Sequence, residues 1–439
     1  MACSCRSLTR KCETVAALIR PTLYMEIAVV WDHVPVSSTA IPEKIMERPY
    51  METRRMALTL RQTPIRFVIA LLGVAGALSL TGCGNFFQCE GKPACPSTGT
   101  PGTNSGDYAY ISNNSSNADD LSVYDVSTGA PDPLSNSPIS LGYIPNAMVI
   151  NPAGTFMFVS NPATGVIESY SISSSGALSN GTTQVTQIVT AMAISSDGDY
   201  LYALDVTTEG SILAFYAIGA NGSLTAASNP NTQLPISNTT TLGASIAVAP
   251  SGSNSNYLVV TLGTAGDVIV PLANDQLNTA IGFQTITFTT SGTGDYGAAI
   301  DTNNNVYFAR TNSVAVYAVA SNGSKGTLVG TTPTGQGDHA IVLTGNYLYT
   351  ANSGDSTISG FSFTSGGVLT SLGAAYAAPT TVGALGIDNK KTYLVASGYN
   401  STSGTMVYAI GSTGALTASK TTAATGTSTV TPVVIAMTP

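Results

Sequence analysis

The stretch AMAISSDGDYLYALDVTTEGSILAFYAIGANGSL, residues 191–224, holds one complete structural unit. It opens with four small apolar residues, 191–194, and turns at Asp197-Gly198, a pair that supplies the positive φ a tight hairpin needs. Tyr200-Leu-Tyr202 then starts an aromatic, alternating strand, and 212–218 reads as a third strand. Gly222-Ser-Leu224 turns the chain into a weaker fourth strand.

The same unit recurs in both directions along the chain. Small apolar runs stand at 147–150, 191–194, 246–249, 297–300, 340–343, 384–387 and 433–436. Pro152-Ala-Gly154 leads into Phe156-Met-Phe158, and Gly345-Asn346 leads into Tyr347-Leu-Tyr349. Third strands are expected at 121–126, 167–172, 314–319, 358–363 and 406–410, several ending in turns such as Gly176-Ala-Leu178, Gly367-Val-Leu369 and Gly414-Ala-Leu416. Residues 107–439 divide into seven units of about 48 residues, which fits the roughly 40 to 50 residues of a four-stranded propeller blade.

A solenoid or a two-sheet sandwich competes with this reading, and the two ends of the repeat region decide. The region opens on the aromatic strand 108–111 without a small apolar partner and finishes on the small apolar strand 433–436 without an aromatic one. Joined, they complete one blade and remove both exposed edges. The expected fold is all-β: a seven-bladed β-propeller closed between its first and last strands, preceded by a signal segment and a flexible tether. Small side chains suit the crowded inner strands, and strands stacked on both faces are apolar on both sides.

Ahead of the ring, Arg54, Arg55, Arg61 and Arg66 precede a 14-residue apolar run, 67–80, too short for the ~20 residues of a membrane-spanning helix. The run ends in Leu80-Thr-Gly-Cys83, as an export signal ends in a small-residue cleavage site. This ending resembles the lipobox of bacterial lipoproteins, which implies acylation of Cys83 and cleavage before it. Gly84 in the next position implies, by the same resemblance, sorting to the outer membrane. Residues 1–50 read as a spurious or disordered extension, 51–82 as the signal peptide and 83–106 as a Gly-, Pro-, Thr- and Ser-rich tether. Cys89 and Cys95 are expected to close a small disulfide loop in an oxidising envelope. The propeller is 107–439.

Charge narrows the partners. Of 16 basic and 24 acidic residues, six and 18 remain after residue 82, a net charge of −12, and no Lys or Arg occurs between Lys92 and Arg310. Nucleic acid, anionic lipid surfaces and highly phosphorylated ligands are repelled by such a chain. Contact with the membrane is expected through the lipid anchor only, and the chain is expected to be a monomer.

The repeats lack tryptophan-aspartate and double-glycine signatures. With Ala193-Ile-Ser-Ser-Asp-Gly-Asp-Tyr-Leu-Tyr202, Tyr347-Leu-Tyr-Thr-Ala-Asn-Ser-Gly-Asp-Ser-Thr-Ile358 and the Gly-x-Leu turns, residues 107–439 resemble the seven-bladed lactonase-like propellers. That group includes 6-phosphogluconolactonase-type enzymes and YVTN-repeat surface proteins. These motifs are structural, so they speak to fold more than to reaction.

After residue 82 the chain has one histidine, His339, and one arginine, Arg310. His339 precedes an inner strand and Arg310 ends the aromatic strand of the preceding unit, so both are expected near one mouth of the channel. Propeller lactonases carry Gly-Pro-Arg-His before an inner strand. Here Gly337-Asp338-His339 stands in the comparable place without the proline and arginine. The resemblance implies His339 as a base activating water and Arg310 as its electrostatic partner. As plain structure, the two are a loop histidine and a surface ion pair. Asp119-Asp120, Asp197, Asp199 and Asp301 lack the spacing of a calcium loop closed by glutamate; turn chemistry accounts for Asp197 and Asp199, and solvated loops for the others. Weak surface affinity for calcium is compatible with the charge, but no cofactor or metal site is expected.

Two functions follow. The leading expectation is a cell-envelope lipoprotein whose propeller is a binding scaffold for a protein or glycan. The alternative is a lactonase acting on a small neutral lactone in the central channel.

Overall fold

The computed structural model describes residues 106–115, 118–179, 181–207, 210–236, 244–251, 256–288, 293–398, 404–421 and 433–439. The expectations for the signal segment, Cys83, Cys89 and Cys95 lie outside the described residues.

Seven antiparallel sheets make up the fold. In blades 2 to 7 the inner strands are Met148–Ile150, Ala191–Ile194, Ala244–Val248, Asp295–Ile300, Asp338–Thr344 and Val382–Ile387. Each is followed outward by three further positions in chain order, as expected from 191–224. In blades 1, 4 and 6 the outermost position is divided between two short strands, such as Gln276–Leu277 and Gln284–Ile286 in blade 4. Every inner strand touches the inner strands of both neighbouring blades, so the sheets form a ring.

Blade 1 takes its inner strand, Ile435–Met437, from the end of the chain and its remaining strands from Tyr108–Ser115 onward. Ala109 pairs with Met437, Tyr110 with Ala436 and Ile111 with Ile435. Thr438 secures the seam: its Oγ1 accepts from the Tyr108 backbone N–H at 2.7 Å and donates to the Gly106 carbonyl at 2.7 Å. Lys390, in the turn after the inner strand of blade 7, donates to buried Asp107 at 2.9 Å.

The apolar pattern follows from stacking. Side chains alternate across a strand, so a second strand packed between two blades must be apolar on both faces. Tyr202 and Leu204 of blade 3 pack against Leu258 and Val260 of blade 4, whereas Leu201 and Ala203 pack against Phe158 of blade 2. One such cluster fills each of the seven blade interfaces.

The Gly-x-Leu turn locks one blade to the previous one. Tyr110 of blade 1 donates its hydroxyl to the Gly176 carbonyl at 2.7 Å, and Tyr349 of blade 6 donates to Gly414 at 2.6 Å. Gly414 has φ +78°, and a Cβ there would sit 2.4 Å from the ring of Tyr347, so both backbone and packing require glycine.

Two expectations change. Asp301 is not in a solvated loop but buried at the hairpin of blade 5. Its Oδ1 accepts from the Asn303 and Asn305 N–H groups, and its Oδ2 accepts from the Asn305 amide and the Tyr307 hydroxyl. Asp388 in blade 7 and Asn151 in blade 2 organise their hairpins in the same way, because a short side-chain acceptor meets N–H groups that the turn leaves free. Asp119 and Asp120 belong to strand Ala118–Asp125 of blade 1, not to a loop.

Candidate functional site at the loop end

Inner strands begin, second strands end and third strands begin at one end of the ring, where the loops between blades also lie. Arg310 ends the second strand of blade 5 and Asp295 begins its inner strand, directly across from it in register. Arg310 Nε donates to Asp295 Oδ1 and Nη2 donates to Oδ2, both at 2.8 Å. The guanidinium also lies over the Phe288 ring, 4.9 Å from its centre. Asp295 is fully buried and the Arg310 side chain is 13% exposed. A bidentate, charge-assisted pair on an aromatic face holds the arginine in one geometry.

A second carboxyl joins it. Asp267 begins the third strand of blade 4, is fully buried, and receives no N–H from the protein. Burial raises its pKa well above the ordinary carboxylate value; the charge of Asp295 and a hydrogen bond between the two carboxyls raise it further, and Arg310 offsets part of the rise. Burial opposes the charge of Arg310, but Asp295 more than restores it. Asp267 therefore favours its neutral form, whose O–H is available to Asp295, while Arg310 donates to Asp295.

Stability should depend on pH accordingly. The Asp267 pKa is raised in the folded chain, so its contribution is complete below the unfolded value of about 3.9 and is lost as pH rises through the folded value. Asp267→Asn keeps a donor toward Asp295 and removes this loss. Urea midpoints between pH 4 and 9 should show the variant gaining on wild type with increasing pH, at up to about 1.4 kcal/mol per pH unit inside that window. Parallel curves would refute the shared proton.

His339 lies at the corresponding end of blade 6. The ladder between Asp338–Thr344 and Tyr347–Asn352 shifts between Asp338 and Ala340, which makes His339 the extra residue of a β-bulge. The placement of its imidazole lies outside the described residues. His339 and Arg310 thus lie on neighbouring blades at the same end, with Arg310 engaged by Asp295.

Sequence reasoning did not single out Asp267, Asp295 or Phe288. An unbroken hairpin in the register of Ala298 with Phe308 would set Tyr296 opposite Arg310; a bulge between Asp295 and Ala298 brings in Asp295 instead.

The same end carries an open cleft of about 420 Å³ between blades 5 and 6, lined by Thr334, Asp355, Thr357, Ser359 and Phe361 among others. The Asn352 side-chain amide donates to Thr357 Oγ1 at 2.8 Å and to Ser359 Oγ at 2.9 Å. Each hydroxyl accepts from Asn352 and retains its own proton for a further acceptor.

Comparison with known proteins agrees with this architecture. A family model described as "Lactonase, 7-bladed beta-propeller" matches residues 102–188, which span blades 1 and 2. No curated protein matches the sequence significantly. Among solved structures, a candidate 6-phosphogluconolactonase from Bacteroides uniformis is 16% identical, with a TM-score of 0.59 over 76% of this chain and 99% of its own. The periplasmic gluconolactonase of Pseudomonas aeruginosa is 17% identical, with a TM-score of 0.58 over 76% of this chain and 99% of its own. The chain is a seven-bladed propeller that resembles the lactonase family, in sequence over residues 102–188 and in fold over about three quarters of its length.

Proposed function

We propose that the protein is a cell-envelope lipoprotein, tethered through Cys83, whose loop end binds a neutral glycan. One observation carries the reading. Arg310 is bound up by Asp295 and Phe288, while the neighbouring cleft offers hydroxyl donors and a carboxylate. Sugar hydroxyls both donate and accept, so they pair with such groups without needing a counter-charge. The acidity of the chain beyond residue 82 favours a neutral over an anionic glycan.

Binding to immobilised neutral and acidic oligosaccharides tests this. Saturable binding to at least one neutral glycan is expected, weakened about tenfold or more by Thr357→Val with Ser359→Ala, since each lost hydrogen bond contributes about 1 kcal/mol. Failure to bind any neutral glycan, or binding untouched by the double substitution, counts against it.

The second reading is a lactonase for a small neutral lactone. It is favoured by the position of His339 in the inner-strand bulge and by the family match over 102–188. His339 would activate water, with oxyanion stabilisation from elsewhere at the loop end.

A further inference from the structure

A second cleft of about 490 Å³ opens at the loop end, between blades 2 and 3. Pro162, Ala163 and Thr164 come from the turn between the second and third strands of blade 2, Gln187 and Ile188 from the loop that leaves it, and Asp205 from the second strand of blade 3. Its volume falls within the roughly 300–1,000 Å³ of small-molecule sites.

Asp205 is only 9% exposed. Its Oδ2 accepts one long hydrogen bond from Gln187 Nε2, at 3.4 Å, and its Oδ1 has no partner among the described residues. Gln187 is held in place: its Oε1 accepts from the Tyr216 hydroxyl at 3.2 Å and its backbone N–H donates to Gly165 at 2.8 Å. Burial raises the Asp205 carboxyl above its ordinary value, and no neighbouring positive charge lowers it. The chain has no Lys or Arg between residues 92 and 310, so blades 2 and 3 contain no cation to pair with it. A buried carboxyl with one long hydrogen bond, one bare oxygen and no cation is costly, and its presence in a cleft needs a reason. On the rim, Ile188 is 56% exposed, the most exposed large apolar side chain among the described residues.

We propose that this cleft binds a small organic cation, whose ammonium group meets Asp205 while its apolar body lies against Ile188, Ala163 and Pro162. A divalent metal fits less well. Calcium takes six to eight oxygens, whereas no group of three metal-ligating side chains occurs among the described residues, and half of this cleft is apolar. The site is separate from the cleft between blades 5 and 6, so it stands or falls apart from the glycan reading.

Titration calorimetry with hexylammonium tests the proposal, with 1-hexanol as the uncharged analogue and calcium chloride as the metal. Wild-type protein should bind hexylammonium saturably and hexanol at least tenfold more weakly. Asp205→Asn should weaken hexylammonium about tenfold or more, as expected for a lost charged hydrogen bond. Ile188→Ser, at an exposed position, should weaken it several-fold without disturbing the fold. Asp132→Asn, in the outer part of blade 1, removes the same charge and should leave binding unchanged. Equal binding by wild type and Asp205→Asn, equal binding of hexanol, or a calcium site lost with Asp205 in place of amine binding would each overturn the proposal.

Discussion

Deleting residues 433–439 should abolish cooperative folding. The deletion removes the inner strand of blade 1 and leaves the channel-facing edge of Ala109 to Ile111 without a partner. It also removes Thr438 from the Tyr108 backbone, and Met437 and Ile435 from their packing against Gly386 of blade 7. Several backbone hydrogen bonds at about 1 kcal/mol each, the burial of Ala436 and the partial burial of Ile435 and Met437, each worth at most about 1.5–3 kcal/mol, are lost together. That sum exceeds about 5 kcal/mol, which matches the whole stability of many domains. The unpaired edge of Ala109 to Ile111 would remain, the arrangement that promotes association between chains. Chemical denaturation and size-exclusion chromatography would detect this as a missing unfolding transition and aggregation. A truncated chain with a wild-type midpoint would mean that the seam is not what holds the ring.

The second large effect concerns Arg310. Arg310→Met fills a similar volume but leaves Asp295, fully buried, without either of its two N–H donors. Breaking a buried pair from one side costs about 3–5 kcal/mol. Adding Asp295→Asn should recover a large part of the loss. A thermal-unfolding cycle across wild type, both single variants and the double variant isolates the coupling. A loss below about 0.5 kcal/mol for Arg310→Met would show the pair to be an ordinary surface contact.

Most of the architecture was legible because it is written in periodic features. Small residues mark the inner strands, aromatic alternation marks the second strands, and the Gly-x-Leu turn marks the blade-to-blade contact made by Tyr110 and Tyr349. The mismatched ends at 108–111 and 433–436 signalled closure, since each lacked what the other supplied. Blade 4 was the least visible in its outer half: its third strand, Asp267–Ala273, carries no aromatic residue and no Gly-x-Leu turn. The loop-end cluster was harder to read because it depends on bulges and on contacts between blades. Asp267 and Asp295 are 28 positions apart on different sheets, and a single inserted residue decides what faces Arg310. Asp205 is equally unremarkable in sequence; only its burial beside a cleft distinguishes it.

The proposed function makes the loop end a recognition surface, with Arg310 committed to structure. Hydrolysis of a neutral sugar lactone such as gluconolactone, followed by proton release for wild type and His339→Ala, tests it most directly. Neither protein should exceed the spontaneous rate, while the wild type still binds a neutral glycan. Turnover by the wild type that disappears in His339→Ala would contradict it and establish the lactonase reading instead.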